Sequence, residues 1–309
     1  MSDFILNADN YYSVEANKIY CGSIQFKDFV GTYGQPACEY RALEIMNGRW
    51  KEEDTPARLV GSFVDAFWEG SLDRFKTEHP EIFIKRIIET PETASKLPSE
   101  YLTKNGTIKR DKLTEAKEKF PDAFDVQYEL KADYRQAERI IERTLKDKKF
   151  CQYMSGEKQV IMTAEMFGTL WKIKIDSYHE DLCIVDLKVM RGIFDPFWVR
   201  DLGHLDFIRY WGYDIQGALY QKVVEINTGK KLPFYIAAVT KSDHPQIRII
   251  QIPQEWLDEA LNVVEANTPR IIQLKNGEVE PRRCEMCDCC NDSYVIDKPI
   301  MAYDLLSGF

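Results

Sequence analysis

The stretch Lys172-Ile173-Lys174-Ile175-Asp176, a turn over Ser177–Leu182, and Cys183-Ile184-Val185-Asp186-Leu187-Lys188-Val189 constrain this chain more than any other part of it. β-Branched residues and alternation predict two antiparallel strands here, and Val160 to Val189 as a whole reads as a β-meander. In the second strand Val185, Leu187 and Val189 share one face, and Asp186 and Lys188 share the other. If the chain reverses near His179–Asp181, Asp176 falls opposite Asp186 or within one pair of it. Like charges facing each other across a strand pair are destabilising. Two carboxylates and a lysine on an otherwise apolar hairpin therefore call for a counter-charge. Magnesium supplies one: it takes one or two carboxylates and keeps its other positions for water and phosphate oxygens. The lysine can then orient or deprotonate an attacking water, or stabilise charge in a phosphorane-like transition state. Two acids plus a lysine around magnesium make a phosphodiester-hydrolysis site. A single Asp-x-Lys is more simply a surface pair on an edge strand, so the rest of the chain has to decide.

Before the meander the chain reads as mostly helical. Residues 1–20, polar with scattered tyrosines, are expected to be an extended lead-in. Ser23 is placed to cap a helix over Ile24–Phe29, and Pro36 to open another carrying Cys38 to Met46. Pro56 precedes a third, Leu59–Trp68, with Gly70 as its stop. Residues 90–124, rich in Lys, Glu, Thr and Pro, predict a mobile charged excursion ending in a short helix. A long helix is expected from about Phe124 to Lys149, with Tyr134, Ala137, Ile140, Ile141 and Leu145 inward. Its outer face carries Lys131, Arg135, Arg139 and Arg143. Glu138 and Glu142 interleave with them, so a solvated, salt-bridged face is favoured over a DNA track. After the meander, Leu205–Ile226 returns to helical period and closes at Asn227-Thr228-Gly229. Pro233–Thr240 and Gln246–Ile252 read as strands and Gln254–Ala266 as an amphipathic helix. The fold class expected is α/β, a central mixed sheet flanked by helices.

Three further positions bear on the carboxylate pair. Glu165, on the strand before, could supply another carboxylate, although a plain exposed glutamate is an equal reading. Asp65 lies between Val64 and Ala66 in an apolar helix, where an aspartate needs a cation or a donor. Gln216 and Tyr220 stand four apart on one helix face, which Tyr213 extends by a turn.

In order along the chain, Gly61-Ser62-Phe63-Val64-Asp65, Asp176, Asp186-Leu187-Lys188 and Gln216-Gly217-Ala218-Leu219-Tyr220 resemble the RecB-type branch of the PD-(D/E)xK nucleases. More closely they are similar to the RecE-like exodeoxyribonucleases of phages. The likeness runs from about residue 20 to 290. It implies a restriction-endonuclease-like core in a single nuclease domain over 1–309. Within it the core spans about 20–275, and 276–309 form a cysteine-containing segment packed on that core. In that branch the first motif is usually a glycine with a histidine four residues later; here Asp65 holds that place, a carboxylate suited to magnesium. The resemblance implies Asp176, Asp186 and Lys188 as catalytic residues, with Gln216 and Tyr220 beside them helping to hold DNA. Mg2+, with Mn2+ as a substitute, would be bound by Asp176 and Asp186, helped by Asp65 and Glu165. It further implies exonucleolytic resection of double-stranded DNA ends for recombination. The implied partners are a single-strand-annealing recombinase and further copies of the chain in a homo-oligomer. Two rivals stand beside this reading. One is an endonuclease or spacer-processing nuclease of the same fold with an iron–sulfur cluster; the other is a non-catalytic DNA-binding protein.

Four of the eight cysteines crowd into Cys284–Cys290. Cys284, Cys287 and Cys290 form Cys-x-x-Cys-x-x-Cys, and three ligands from one loop need a fourth, for which Cys38 is the candidate. Some RecB-type nucleases join one early and three late cysteines in a four-iron cluster, so the resemblance implies iron–sulfur. A structural zinc and plain reduced thiols are the alternatives. With a net charge of −9, any contact with DNA has to rest on local basic groups or a metal. No run approaches the roughly 18 apolar residues of a membrane span, and the start lacks a basic, apolar leader. A cytoplasmic protein with reduced thiols and no membrane partner is expected.

Overall fold

Caps and stops written into the chain start and end many of its helices in the computed structural model, which describes residues 4–90, 92–296, 299, 301 and 302. Met1–Asp3 of the expected lead-in and most of the segment after Ile296 lie outside the described residues. Ser13 Oγ accepts from the Ala16 N–H and opens α1 (Val14–Ile19). The lead-in is therefore helical over Val14–Ile19, where an extended segment was expected, because a serine N-cap supplies the acceptor that a helix start lacks. β1 (Tyr20–Cys21), α2 (Ser23–Val30) and α3 (Glu39–Met46) follow. Ser23 is the first residue of α2 and Gly22 its cap, while α3 begins after Cys38, not at Pro36.

Backbone contacts group the chain into two compact units: Thr55–Glu142, and the residues through Asp54 together with those from Arg143 onward.

In the Thr55–Glu142 unit, Thr55 Oγ1 accepts from Arg58 N–H and Pro56 takes the first position of α4 (Pro56–Glu69), which Gly70 stops in the left-handed region. Then come α5 (Leu72–Glu78), β2 (Phe83–Ile88), α6 (Leu113–Lys119), β3 (Asp125–Leu130) and α7 (Ala132–Leu145). β2 and β3 pair antiparallel from Phe83↔Leu130 to Ile88↔Asp125, so the helix expected from Phe124 begins only after a strand. Tyr134, Ala137, Ile140 and Ile141 are buried as expected, whereas Leu145 is 50% exposed. The expected mobile excursion holds a small core of its own, in which Leu97, Tyr101, Ala116, Ala123 and Phe124 are buried together.

The other unit continues with α8 (Lys148–Tyr153), β4 (Val160–Met166), β5 (Thr169–Ile175), β6 (Ser177–His179), β7 (Cys183–Met190), β8 (Phe197–Val199), β9 (Gly203–Leu205), α9 (Phe207–Tyr210), α10 (Tyr213–Thr228), β10 (Phe234–Thr240), β11 (Ile247–Gln251), α11 (Gln254–Lys275) and α12 (Asp288–Asp292). The meander is split between two sheets. β1, β5 and β4 form one, and β11-β10-β7-β6 the other, with β10 parallel to β7 and the remaining pairs in that sheet antiparallel. The chain crosses between them at a bend on Asp176. The result is the expected α/β architecture with a mixed sheet. Trp171, Ile173, Ile175, Ile184, Leu219, Phe234 and Ile236 fill the shared core. α11 runs beyond the expected end at Ala266 and through Pro269 to Lys275, because Ile271 and Leu274 are still buried on its inner face.

α10 approaches this core closely through Gly217. A Cβ there would meet Leu257 Cδ2 and Phe234 Cδ1 at 2.9 Å. Gly217→Val is expected to destabilise the fold by about 1–3 kcal/mol through overpacking, in spite of valine's better helix propensity. Urea unfolding measures it, and stability equal to or above wild type would mean the packing gives way easily.

Candidate active site

β6 pairs with β7 as Ser177↔Val185, Tyr178↔Ile184 and His179↔Cys183. Extending that register by one step sets Asp176 opposite Asp186, the relation expected from the sequence. At this step the ladder gives way to a side chain: the Leu187 N–H donates to Asp176 Oδ2 at 2.9 Å. The backbone donor that a continued β6 would have satisfied thus fixes a carboxylate at the sheet edge. Asp186, two residues before Lys188 on the same face, is buried, and its Oδ2 pairs with the Lys188 ammonium. Burial opposes the charge on Lys188, but Asp186, Tyr213 and Asp176 together outweigh it and hold the amine above its ordinary lysine value. Both carboxylates therefore bear on one ammonium, and the three groups converge.

α10 supplies the frame. Gln216 Nε2 donates to Asp186 Oδ1 at 2.6 Å, and the Tyr220 hydroxyl donates to the Lys174 carbonyl at 3.1 Å, just before Asp176. Both side chains are buried; burial, then the nearby Tyr11, Asp186 and Asp176, raise the Tyr220 phenol well above its usual value. Tyr213 lies below Lys188, its ring centroid 5.1 Å from Nζ.

The site has the character of a cation site. Gln216 occupies one oxygen of Asp186, while the other is sealed from water, faces Lys188 and takes no aligned hydrogen bond. Gln159 Nε2 reaches Asp176 Oδ1 at 3.3 Å, and its own Oε1 is buried without a hydrogen-bond partner. The orphaned Gln159 oxygen beside two carboxylates completes an all-oxygen donor set, the kind a hard divalent ion takes.

Of the other two expected carboxylates, Glu165 stands elsewhere on its own sheet. Glu165 is exposed on β4 and pairs with Leu170, whereas the end of β5 next to Asp176 pairs with Val160. Five residues of strand, about 17 Å at 3.4 Å per residue, separate the two positions, so Glu165 is corrected from a ligand to a surface glutamate. Asp65 belongs to the Thr55–Glu142 unit, half-buried on α4.

Cys38, Cys284, Cys287 and Cys290 come together with all four sulfurs within 4.8 Å of one another, a group able to hold a metal ion. Cys38 Sγ lies 3.6 Å from Cys290 Sγ and 3.8 Å from Cys287 Sγ, and Cys284 Sγ lies 3.9 Å from Cys290 Sγ. The Arg41 and Cys287 N–H groups donate to the Cys38 and Cys284 sulfurs respectively. Glu39 locks the arrangement: it accepts from Arg270 at 2.9 and 3.1 Å and from the Arg282 N–H at 2.7 Å. Cys289 is buried outside the group.

A family model described as a PDDEXK-like domain of unknown function (DUF3799) matches residues 22–293. The chain belongs to this PDDEXK-like family. A crystal structure of a protein from Eubacterium rectale, designated a candidate exonuclease, is 50% identical to it. The alignment covers 99% of this chain and 100% of that one, with a TM-score of 0.83. Among curated proteins none matches.

Sequence reasoning missed two side chains at this PDDEXK-like site. Gln159 sits at φ 54°, a left-handed conformation costly for a glutamine, and no motif marks it. Lys27 on α2 lies with its ammonium 5.4 Å from the Tyr213 ring centroid. Burial first, then the Lys188 charge, push it down to about 8, while Asp186, Asp28 and Asp214 pull the other way. A lone lysine on an amphipathic helix gives no signal of this; only the packing of α2 against α10 does.

Proposed function

We propose that this PDDEXK-like protein is a metal-dependent deoxyribonuclease acting exonucleolytically on ends of double-stranded DNA. The convergence of Asp176, Asp186 and Lys188 at the sheet edge carries the reading. The candidate exonuclease at 50% identity over the full chain supports the exonucleolytic part. Asp176 and Asp186 would hold a divalent cation, Mg2+ with Mn2+ as substitute, which when bound polarises a phosphoryl oxygen and lowers the pKa of water. Gln216 orients Asp186 so that Oδ2 faces the site, and the Leu187 N–H does the same for Asp176 with Oδ1. Lys188 positions the attacking water and donates to charge developing on the phosphate. Tyr220 fixes the strand end that delivers Asp176. Products of end resection would be single strands for an annealing recombinase.

The four thiols form a second centre in this reading, for a single zinc ion with a structural role. With Zn–S about 2.3 Å, a tetrahedral site sets its sulfurs about 3.8 Å apart; three of the six separations here are 3.6, 3.8 and 3.9 Å, and all six lie within 4.8 Å. A four-iron cluster places an iron and bridging sulfides between the thiolates and needs them spread well beyond the 4.8 Å within which all four lie.

End-labelled linear duplex and covalently closed circular DNA, each with Mg2+ and with chelator, test the activity. Linear DNA should disappear only with metal while closed circles survive. Cutting of closed circles would make the protein an endonuclease, and no cutting of either would remove the enzyme reading.

A further inference from the structure

We propose that the cavity at the carboxyl end of β7 receives one unpaired nucleotide of the strand being cut. The inference rests on the nuclease reading and adds to it the state of the substrate at the cut.

The cavity, about 500 Å³, is lined by Met190, Arg191, Phe197, Trp211 and Tyr213, among others. It adjoins the catalytic strand, since Val189 and Met190, the residues after Lys188, are among its lining. β7 presents Asp186 and Lys188, and its last residues form the cavity wall. Tyr213 belongs to both places, as a wall of the cavity and as the ring beneath Lys188. A phosphate held at Lys188 therefore has its adjoining nucleotide at the cavity mouth. Lys27, on the same Tyr213 ring, adds a second ammonium there.

The walls suit a nucleobase. Phe197 stacks on Tyr210 with centroids 4.2 Å apart at 17°, and meets Trp211 edge-on at 5.9 Å and 76°. These rings are held by one another, while Trp211 remains 38% exposed. Bases of any sequence stack on such aromatic faces. Arg191, exposed at the rim, offers a fork of donors to a phosphate, and Asp195 offers acceptors to a base amino group. The volume is of small-molecule size. It admits one nucleotide but not a stacked base pair, so the base has to leave the duplex before it enters.

The full-length protein tests this with oligonucleotides carrying 2-aminopurine or an abasic site at each of the three terminal positions in turn. Binding is read in Ca2+ and cleavage in Mg2+. At one position, 2-aminopurine fluorescence should be quenched on binding, and an abasic site there should lower kcat/KM about tenfold, in line with the loss of one stacked base. A mismatched end should be cut faster than a fully paired one by a similar factor. Trp211→Ala should abolish the quenching and the abasic penalty together, with circular dichroism reporting that the fold is kept. Wild-type protein that shows no quenching and cuts abasic and intact strands alike overturns the proposal while leaving the nuclease reading standing. Quenching without cleavage under any metal overturns both, since the bound nucleotide then belongs to no strand being cut.

Discussion

Lys188→Ala is expected to lower magnesium-dependent DNA cleavage by a factor of about 10² to 10⁴, with DNA binding largely retained. The ammonium is the one positive side chain paired directly with Asp186 among the described residues, so no neighbour on the same strand replaces it. The variant has a second consequence of opposite sign. In the metal-free protein it leaves the Asp186 carboxylate buried without its counter-charge, which should cost about 1–3 kcal/mol, the figure for a buried pair reduced because Lys188 remains partly exposed. A divalent cation can then neutralise the carboxylates without competing with the lysine. Magnesium should therefore raise the melting temperature of Lys188→Ala more than that of wild type. Single-turnover cleavage and thermal melts with and without Mg2+ measure both effects. Wild-type cleavage in the variant would remove the mechanism proposed here.

The relation between Asp176 and Asp186 is legible in the sequence because it depends on local quantities only: strand alternation and the length of a turn. What local patterns do not carry is the change of sheet at Asp176. The hydrophobic period of β5 and β6 is the same whichever neighbour each strand pairs with, and pairing is a tertiary fact. Glu165 fails as a ligand for a related reason: alternation gives its face but not its distance along the strand. β3 reads as helix because it is short and its apolar Val126 and Tyr128 are exposed, which leaves no buried face to show a period of two. Cys38 stands out in the sequence only because three clustered thiols make the lack of a fourth conspicuous. Lys27 and Gln159 have no comparable arithmetic.

The thiol group yields the other large effect. Purified protein should carry about one zinc per chain and be colourless, and Cys38→Ser should lose that ion. The loss should be costly because Cys38 closes on Cys290 across 252 residues of sequence. A link that closes so long a loop removes much chain entropy from the unfolded state. It also joins the start of α3 to a loop with little regular structure of its own, whose other ties there include Glu39 with the Arg282 N–H and Tyr40 N–H with the Arg282 carbonyl. Structural ions of this kind contribute several kcal/mol. At about 2–4 °C per kcal/mol for a chain of this size, the melting temperature should fall by about 10 °C or more. Cys289→Ser is the internal control, since Cys289 is equally buried but outside the ligand group; it should keep the ion. Elemental analysis with thermal melts decides the matter. Iron near four per chain with a brown colour would replace the single-ion assignment with a cluster, and metal-free protein of unchanged stability would reduce the four thiols to a packing cluster.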